Sequence, residues 1–258
     1  MTATPQRNAL VLGASSGIGA ATAKHLAAEG FAVAVVARRA AELDSVVQDI
    51  RTRGGQAYSA TYDLAVDGAS TQAVQWAVEQ LGQVDVVVYS AGMVRLHAAD
   101  EWRRDWWERQ WRLNTLAAAE AAAASVPAMR RRGSGWFIVI GSAAGLTPVP
   151  GTGGYGVSKA AAHHLVQMLS AENRRFGVHA YAICPGWVRT DLAADPGALG
   201  VMPEQLLLPE DIAEVITWLV SLPPRVQISP LLEVQTLAPE VDVCAGIQRF
   251  LDYSRKDH

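Results

Sequence analysis

The 258-residue sequence is poor in several things that would steer its reading elsewhere. It has two cysteines, Cys184 and Cys244, too few for a disulfide framework, so a reducing compartment is expected. It has no charge excess. Its 22 basic and 25 acidic side chains leave a net charge of −3, which gives no electrostatic ground for a nucleic-acid or anionic-membrane partner. No apolar run approaches the roughly 18–20 residues of a membrane span. The Ala-rich stretch 117–124 is interrupted by Glu120 and followed by Pro127. The opening MTATPQR lacks the apolar centre of a signal peptide, and no Cys/His cluster has zinc spacing. The expectation is a cytoplasmic chain without a metal site. Lysine is scarce too: only Lys24, Lys159 and Lys256 occur, and nearly every other cation is arginine.

What the sequence does have is alternation. Short β-branched runs at 9–13, 31–37 and 84–90 read as buried strands, and the alternating stretch 56–64 as another. Between them, 18–30, 40–54 and 67–81 have helical periodicity, the first two ending at glycine. The pattern continues with helices at 100–112 and 114–131, a strand at 135–141, a long helix at 152–176 and a strand at 178–184. A helix at 209–222 opens with Pro and acids, and a last strand falls near 226–235. Such alternation predicts right-handed βαβ units. The fold class is therefore α/β: a Rossmann-type, doubly wound parallel sheet of about seven strands in a three-layer α/β/α domain. No linker divides residues 1–258. The Gly/Pro-rich interval 185–209 is too long for an ordinary connection and is expected to be a substrate loop; the tail from about 238 to 258 is uninformative.

Between the first strand and first helix lies LGASSGIGAA, with Gly13, Gly17 and Gly19. Glycines there permit a tight turn and close backbone approach, and the helix N-terminus offers N–H groups to a pyrophosphate. Ser15 and Ser16 add hydroxyl donors. Folds that bind NAD place a carboxylate about 20 residues further on. Here the second strand ends in Ala37-Arg38-Arg39, where guanidiniums suit a 2′-phosphate. NADP(H) is expected over NAD(H), with Arg38 the stronger candidate and Arg39 also explained as a solvated helix start.

Tyr155-Gly-Val-Ser-Lys159 places one of the three lysines four residues after a tyrosine, on one helical face. A free phenol titrates near 10, and a neighbouring ammonium lowers that value. A tyrosine so tuned serves as acid to a carbonyl oxygen or base to an alcohol. Ser142, ending the strand FIVIGS, is placed to hold the same oxygen.

Taken together, these residues resemble the short-chain dehydrogenase/reductase superfamily, in its form of about 250 residues, over roughly 8–235. Gly13, Gly17 and Gly19 match its cofactor turn, which also contains Ile18; Asp63-Leu64 match its adenine-contacting pair. Ala91-Gly92 match the motif after the fourth strand, and Asn114, Ser142, Tyr155 and Lys159 match its catalytic tetrad. PGWVRT, with Pro185, Gly186, Val188 and Thr190, matches the segment beside the nicotinamide. The resemblance implies that Tyr155 exchanges the proton and Ser142 holds the oxygen. Lys159 lowers the tyrosine pKa and binds the ribose, and Asn114 supports a water chain. Two departures stand out: Leu12 where threonine is frequent, and Tyr89-Ser90 in place of two asparagines.

Other features read as structural. The stretch 101–111 carries Trp pairs at i,i+4, expected to pack on a helix or a subunit partner; Arg130–Arg132 reads as a solvated helix end and His163 as a core or interface residue. Trp187 is expected as a pocket wall, with Leu192, Leu199, Val201 and Met202 as lid residues. Met93, Val94, Ala143 and Ala144 flank the site without charge, which favours a bulky, weakly polar ketone or aldehyde. The expected activity is hydride transfer between nicotinamide and a carbonyl/alcohol pair, favouring reduction. The alternatives are an alcohol dehydrogenase working oxidatively and a non-catalytic dinucleotide-binding regulator. Helices 114–131 and 152–176 are candidates for a homodimer or homotetramer interface.

Overall fold

The computed structural model describes residues 6–192 and 206–237. Leu199, Val201, Met202, Cys244, most of the 185–209 interval and the tail from 238 lie outside the described residues. Strands β1 (Asn8–Leu12), β2 (Ala32–Ala37), β3 (Gln56–Thr61), β4 (Val86–Tyr89), β5 (Gly135–Ile140), β6 (Val178–Pro185) and β7 (Leu231–Val234) form one sheet. Its order is β3-β2-β1-β4-β5-β6-β7 and every pairing is parallel.

Both faces are covered, which explains why the central strands are apolar at successive positions. Val33, Val35 and Ala37 face the layer of α1 (Gly17–Ala28), α2 (Ala40–Thr52) and α7 (Pro209–Ser221), while Ala34 and Val36 face the other side. That second layer holds α3 (Ala69–Leu81), α5 (Ala117–Arg132) and α6 (Gly153–Asn173). Ala117, Ala118, Ala121 and Ala122 are buried, so α5 lies close against the sheet. Each fully buried Val, Leu or Ile contributes about 1.5–3 kcal/mol, so this two-sided core holds the strand ends in register. At α7, the Asp211 carboxylate accepts the Leu208 N–H at 2.7 Å and Pro209 opens the helix, as the sequence predicts.

One element differs from expectation. The stretch around Asn114 is not a break between two helices. Helix α4 (Arg104–Trp111) runs directly into a π-wound turn, Arg112–Leu116, and then into α5. Helical periodicity does not distinguish a π turn from an α turn over five residues. The helix end Arg130–Arg132 is exposed, as expected, and Arg132 in addition donates to the Val84 carbonyl at 2.7 Å.

Candidate active site

The strand order reverses between β1 and β4, and ligands of such sheets bind outside the carboxyl ends of the strands at that switch. A cavity of about 870 Å³ opens there. It is lined by residues just past the ends of β1, β2, β3, β4, β5 and β6: Gly13, Arg38, Tyr62, Ser90, Gly141 and Gly186.

At one end lies the glycine turn. Gly13 has φ +89° and a Cβ there would run into the Ala91 backbone; Gly17 has φ +54° and faces Thr190. Both facts require glycine. Gly19 does not line the cavity; its missing Cβ lets α1 start directly against the Gly13 carbonyl. No side chain caps α1, so its N-terminus faces the cavity beside Ser15, Ser16 and Ile18. This turn, with free helix N–H groups and two serine hydroxyls at the cavity, fits a pyrophosphate.

Arg38 and Arg39 both line the cavity. The sequence ranks Arg38 first and explains Arg39 as a solvated helix start. In the structure the Arg39 guanidinium crosses back to the glycine turn, donating to Ser15 Oγ at 3.0 Å and Ser16 Oγ at 2.7 Å. It also pairs with Glu42 at 3.3 Å. Asp63 and Leu64 lie beside them, Leu64 buried.

The other end holds the remaining tetrad candidates. Ser142, Tyr155 and Lys159 line the cavity; Asn114 stands behind it, 1% exposed. The π-wound turn aims the Asn114 amide at Met93, accepting its N–H at 2.9 Å and donating to its carbonyl at 3.0 Å. The same amide nitrogen donates to Ser158 Oγ at 3.0 Å, and Ser158 donates to the Tyr155 carbonyl at 2.8 Å. Asn114 thereby ties the segment after β4 to the first turns of α6. Gly92 fits between, because a Cβ there would sit 3.3 Å from Asn114 Oδ1 and 3.5 Å from Lys159 Nζ.

The electrostatics differ from the expected ammonium-tuned phenol. Burial raises the Tyr155 pKa above the ordinary tyrosine value, and the Ser142 hydroxyl acts in the opposite direction. Lys159 Nζ lies 5.9 Å from the Tyr155 ring centroid and donates to the Ile140 carbonyl at 2.8 Å. Its own pKa is lowered to about 8 by burial. The ammonium is hydrogen-bonded at the end of β5, one turn along α6 from the phenol.

The YSAG departure has a structural account. Ser90 keeps the ladder, its N–H donating to the Leu12 carbonyl at 2.8 Å. Tyr89 sends its hydroxyl to the Leu113 carbonyl at 2.7 Å, inside the π-wound turn.

Pro185, Gly186, Val188, Thr190, Ala91, Gly92, Val94, Ala143, Ala144, Trp187 and Leu192 all line the same cavity. Trp187 and Arg189 pair with Leu207 through backbone bonds of 2.8 and 2.9 Å, closing the base of the 185–209 interval. Sequence reading missed Leu96, Leu113, Val149, Thr152, Glu233 and Gln235, which also line the cavity. None belongs to a motif; the fold gathers them from separate elements. The tryptophan stretch divides. Trp106 and Trp107 pack edge-on against buried His97, whose Nε2 accepts the Gly154 N–H at the start of α6, whereas Trp102 is 69% exposed.

A glycine-cradled anion site sharing one cavity with Ser142, Tyr155 and Lys159, backed by buried Asn114, defines a dinucleotide-dependent oxidoreductase. A family model described as short chain dehydrogenase matches residues 7–198, and the chain belongs to that family. The glycine betaine reductase ATRR of Emericella nidulans is 35% identical over 231 residues, 87% of this chain, which spans only 18% of that protein. An alcohol dehydrogenase from the archaeon Thermococcus sibiricus, complexed with 5-hydroxy-NADP, superposes with a TM-score of 0.82 at 26% identity. That match covers 92% of this chain and 100% of the other. A phenylalanine-to-tryptophan variant of actinorhodin polyketide ketoreductase, with NADPH, gives 0.81 at 27% identity over 89% and 96% of the two chains. This chain is accordingly a dehydrogenase/reductase acting on the CH–OH/C=O pair.

Proposed function

We propose that this enzyme is an NADP(H)-dependent reductase of a bulky, weakly polar ketone or aldehyde. The observation that carries the reading is the convergence of Ser142, Tyr155 and Lys159 on one cavity with two arginines at its far end. Bound NADPH supplies the hydride, and the protein supplies binding, orientation and the proton. Tyr155 donates its proton to the substrate oxygen while Ser142 holds that oxygen by a hydrogen bond. Burial keeps the phenol in its protonated form, the form that donates to a carbonyl oxygen. Lys159 and Asn114 hold the Tyr155 turn of α6 and the segment after β4 in place around the cofactor ribose. The turn Gly13–Gly19 takes the pyrophosphate, Asp63-Leu64 the adenine, and Ala91, Gly92 and Pro185–Thr190 the nicotinamide side. Arg38 and Arg39 take the 2′-phosphate. NADP(H) in the solved relatives supports that preference.

Val94, Ala143, Ala144, Trp187 and Leu192 form the substrate wall, and the 185–209 interval is the substrate loop. The wall supplies apolar and aromatic contact and no cation. Exposed Leu116, in the π-wound turn that leads into α5, and Val157 and Met168 on α6, each more than 40% accessible, support assembly of a homodimer or homotetramer through those helices.

The test is steady-state oxidation of NADPH and, separately, NADH over a panel of bulky ketones, aldehydes and diketones. Faster turnover with NADPH is expected. Tyr155→Phe is expected to abolish turnover while keeping cofactor affinity; turnover that survives it removes the proton-donor assignment.

A further inference from the structure

Tyr155, Lys159 and His163 stand at i, i+4 and i+8 on α6 and so form one stripe of that helix. The stripe faces the end of β5, where consecutive backbone groups are taken up in turn. The Ile140 carbonyl accepts from Lys159, the Gly141 N–H donates to the Ile183 carbonyl at 2.6 Å, and the Ser142 N–H donates to His163 Nε2 at 3.2 Å. A backbone donor withdrawn from water needs an acceptor. The sheet provides it for Gly141; for half-buried Ser142 it comes from His163 on α6, with the Cys184 sulfur beside it also facing that N–H.

The chain makes room for this imidazole. A Cβ at Gly141 would collide with Nε2, and one at Gly145 would lie 2.6 Å from Cε1. The ring is 2% exposed. To accept from Ser142, Nε2 must carry no proton, so the ring is the neutral Nδ1–H tautomer. The groups facing it agree. The Lys159 ammonium one turn away disfavours a second cation, and the Cys184 thiol lies 3.3 Å from Nε2. Burial and Lys159 lower the His163 pKa to about 4, with the Gly145 backbone acting weakly the other way. Burial pushes Cys184 up to about 12, so the pair is thiol and imidazole, not an ion pair. Nδ1 faces the Gly145 backbone without a hydrogen bond of good geometry. An apolar side chain would fill the same space but offer the Ser142 N–H no acceptor, so packing alone does not account for a histidine here.

We propose that His163 is a positioning residue for Ser142. By holding the Ser142 N–H on the helix stripe that carries Tyr155 and Lys159, it fixes where the serine and tyrosine hydroxyls meet a substrate oxygen. The proposal rests on the reading of Ser142 and Tyr155 as the oxygen-binding pair. Displacing a reacting group by about 1 Å costs up to roughly 10²-fold in rate.

The test compares His163→Leu, which fills the space without an acceptor, with His163→Gln, whose Oε1 reaches the place of Nε2. In His163→Leu, kcat is expected to fall roughly 10- to 100-fold, by the same positioning argument. Ser142 amide hydrogen exchange should quicken at least about tenfold, and NADPH affinity should stay within about twofold, because an acceptor has been lost and the cofactor cradle has not. His163→Gln should restore kcat and exchange to within about threefold of the parent, since the acceptor returns. A His163→Leu variant that keeps its kcat, or a His163→Gln variant that falls as far, overturns the proposal. Amide exchange needs no substrate, so unchanged Ser142 protection in His163→Leu overturns it even where no panel substrate turns over. Imidazole ¹⁵N spectra of the parent protein decide independently of any variant: Nε2 unprotonated from pH 8 to 5.5 is expected, and a protonated Nε2 refutes it.

Discussion

The hydroxyl of Tyr89 donates to the carbonyl of Leu113 at 2.7 Å, joining the end of β4 to the π-wound turn that carries Asn114. Burial pushes this phenol well above the ordinary tyrosine range, so it remains a donor at any working pH. Tyr89→Phe removes this part-buried hydrogen bond, at a cost of about 0.5–1.5 kcal/mol. The melting temperature should fall by roughly 1–6 °C for a chain of this size. Asn114 is braced through the same turn, so turnover should drop about 3- to 10-fold while NADPH affinity holds. Calorimetry with steady-state kinetics checks both. Lost stability with full turnover would show that the turn orients Asn114 without Tyr89.

Arg39, not Arg38, makes the hydrogen bonds to the glycine turn. Charge-assisted bonds to a phosphate are the strong ones, and a planar guanidinium matches phosphate geometry. Arg39→Ala is therefore expected to raise the KM for NADPH about 10- to 100-fold and that for NADH less than about threefold. Arg38→Ala should have the smaller effect of the two. Equal losses with both cofactors would mean that Arg39 serves the Ser15–Ser16 turn and not the 2′-phosphate.

Much of this arrangement is legible in the sequence because it depends on local signals. Strands β1, β2, β4, β5 and β6 announce themselves as short apolar runs because both faces of the sheet are covered. The glycine turn is legible because steric necessity leaves no other residue at Gly13. Tyr155 and Lys159 are legible because helical geometry alone brings them together. The illegible parts depend on contacts across the fold. Arg39 crosses back over 23 residues to Ser16, Leu96 and Val149 meet the site from separate loops, and the π winding has no periodic signature. His163 reads as a core or interface residue, and it lies in the core. Its bond to the Ser142 backbone appears only when β5 and α6 are packed.

The Lys159 ammonium sets an alkaline limit. Its pKa is lowered to about 8, so the positive charge is present below that pH and lost as pH rises through it. Tyr155, raised by burial, keeps its proton over the same interval. For reduction, kcat/KM of the free enzyme should fall on the alkaline side with its inflection near 8, set by the lysine and not by the phenol. A pH–rate profile from 6 to about 11 measures it, since free phenols titrate near 10. An inflection at or above that value would assign the limb to Tyr155.

His163 makes stability itself depend on pH. Its folded pKa is about 4 against an ordinary 6.5, so on acidification the unfolded chain takes up a proton first. Over that interval the unfolded state binds more protons than the folded one, and stability therefore declines as pH falls from about 6.5 to about 4. Below the folded value both states are protonated and this contribution levels off. His163→Gln removes the titrating group and leaves the other histidines in place, so their effects cancel in the comparison. Urea unfolding at pH 7.5, 6, 5 and 4.5 should show the parent losing stability relative to His163→Gln as the pH drops, by an amount on the order of a few kcal/mol. Parallel curves would mean that the imidazole gains its proton as readily in the fold as in the unfolded chain. It would then be unable to accept the Ser142 N–H through the acidic range, and the acceptor that holds Ser142 would have to be another group.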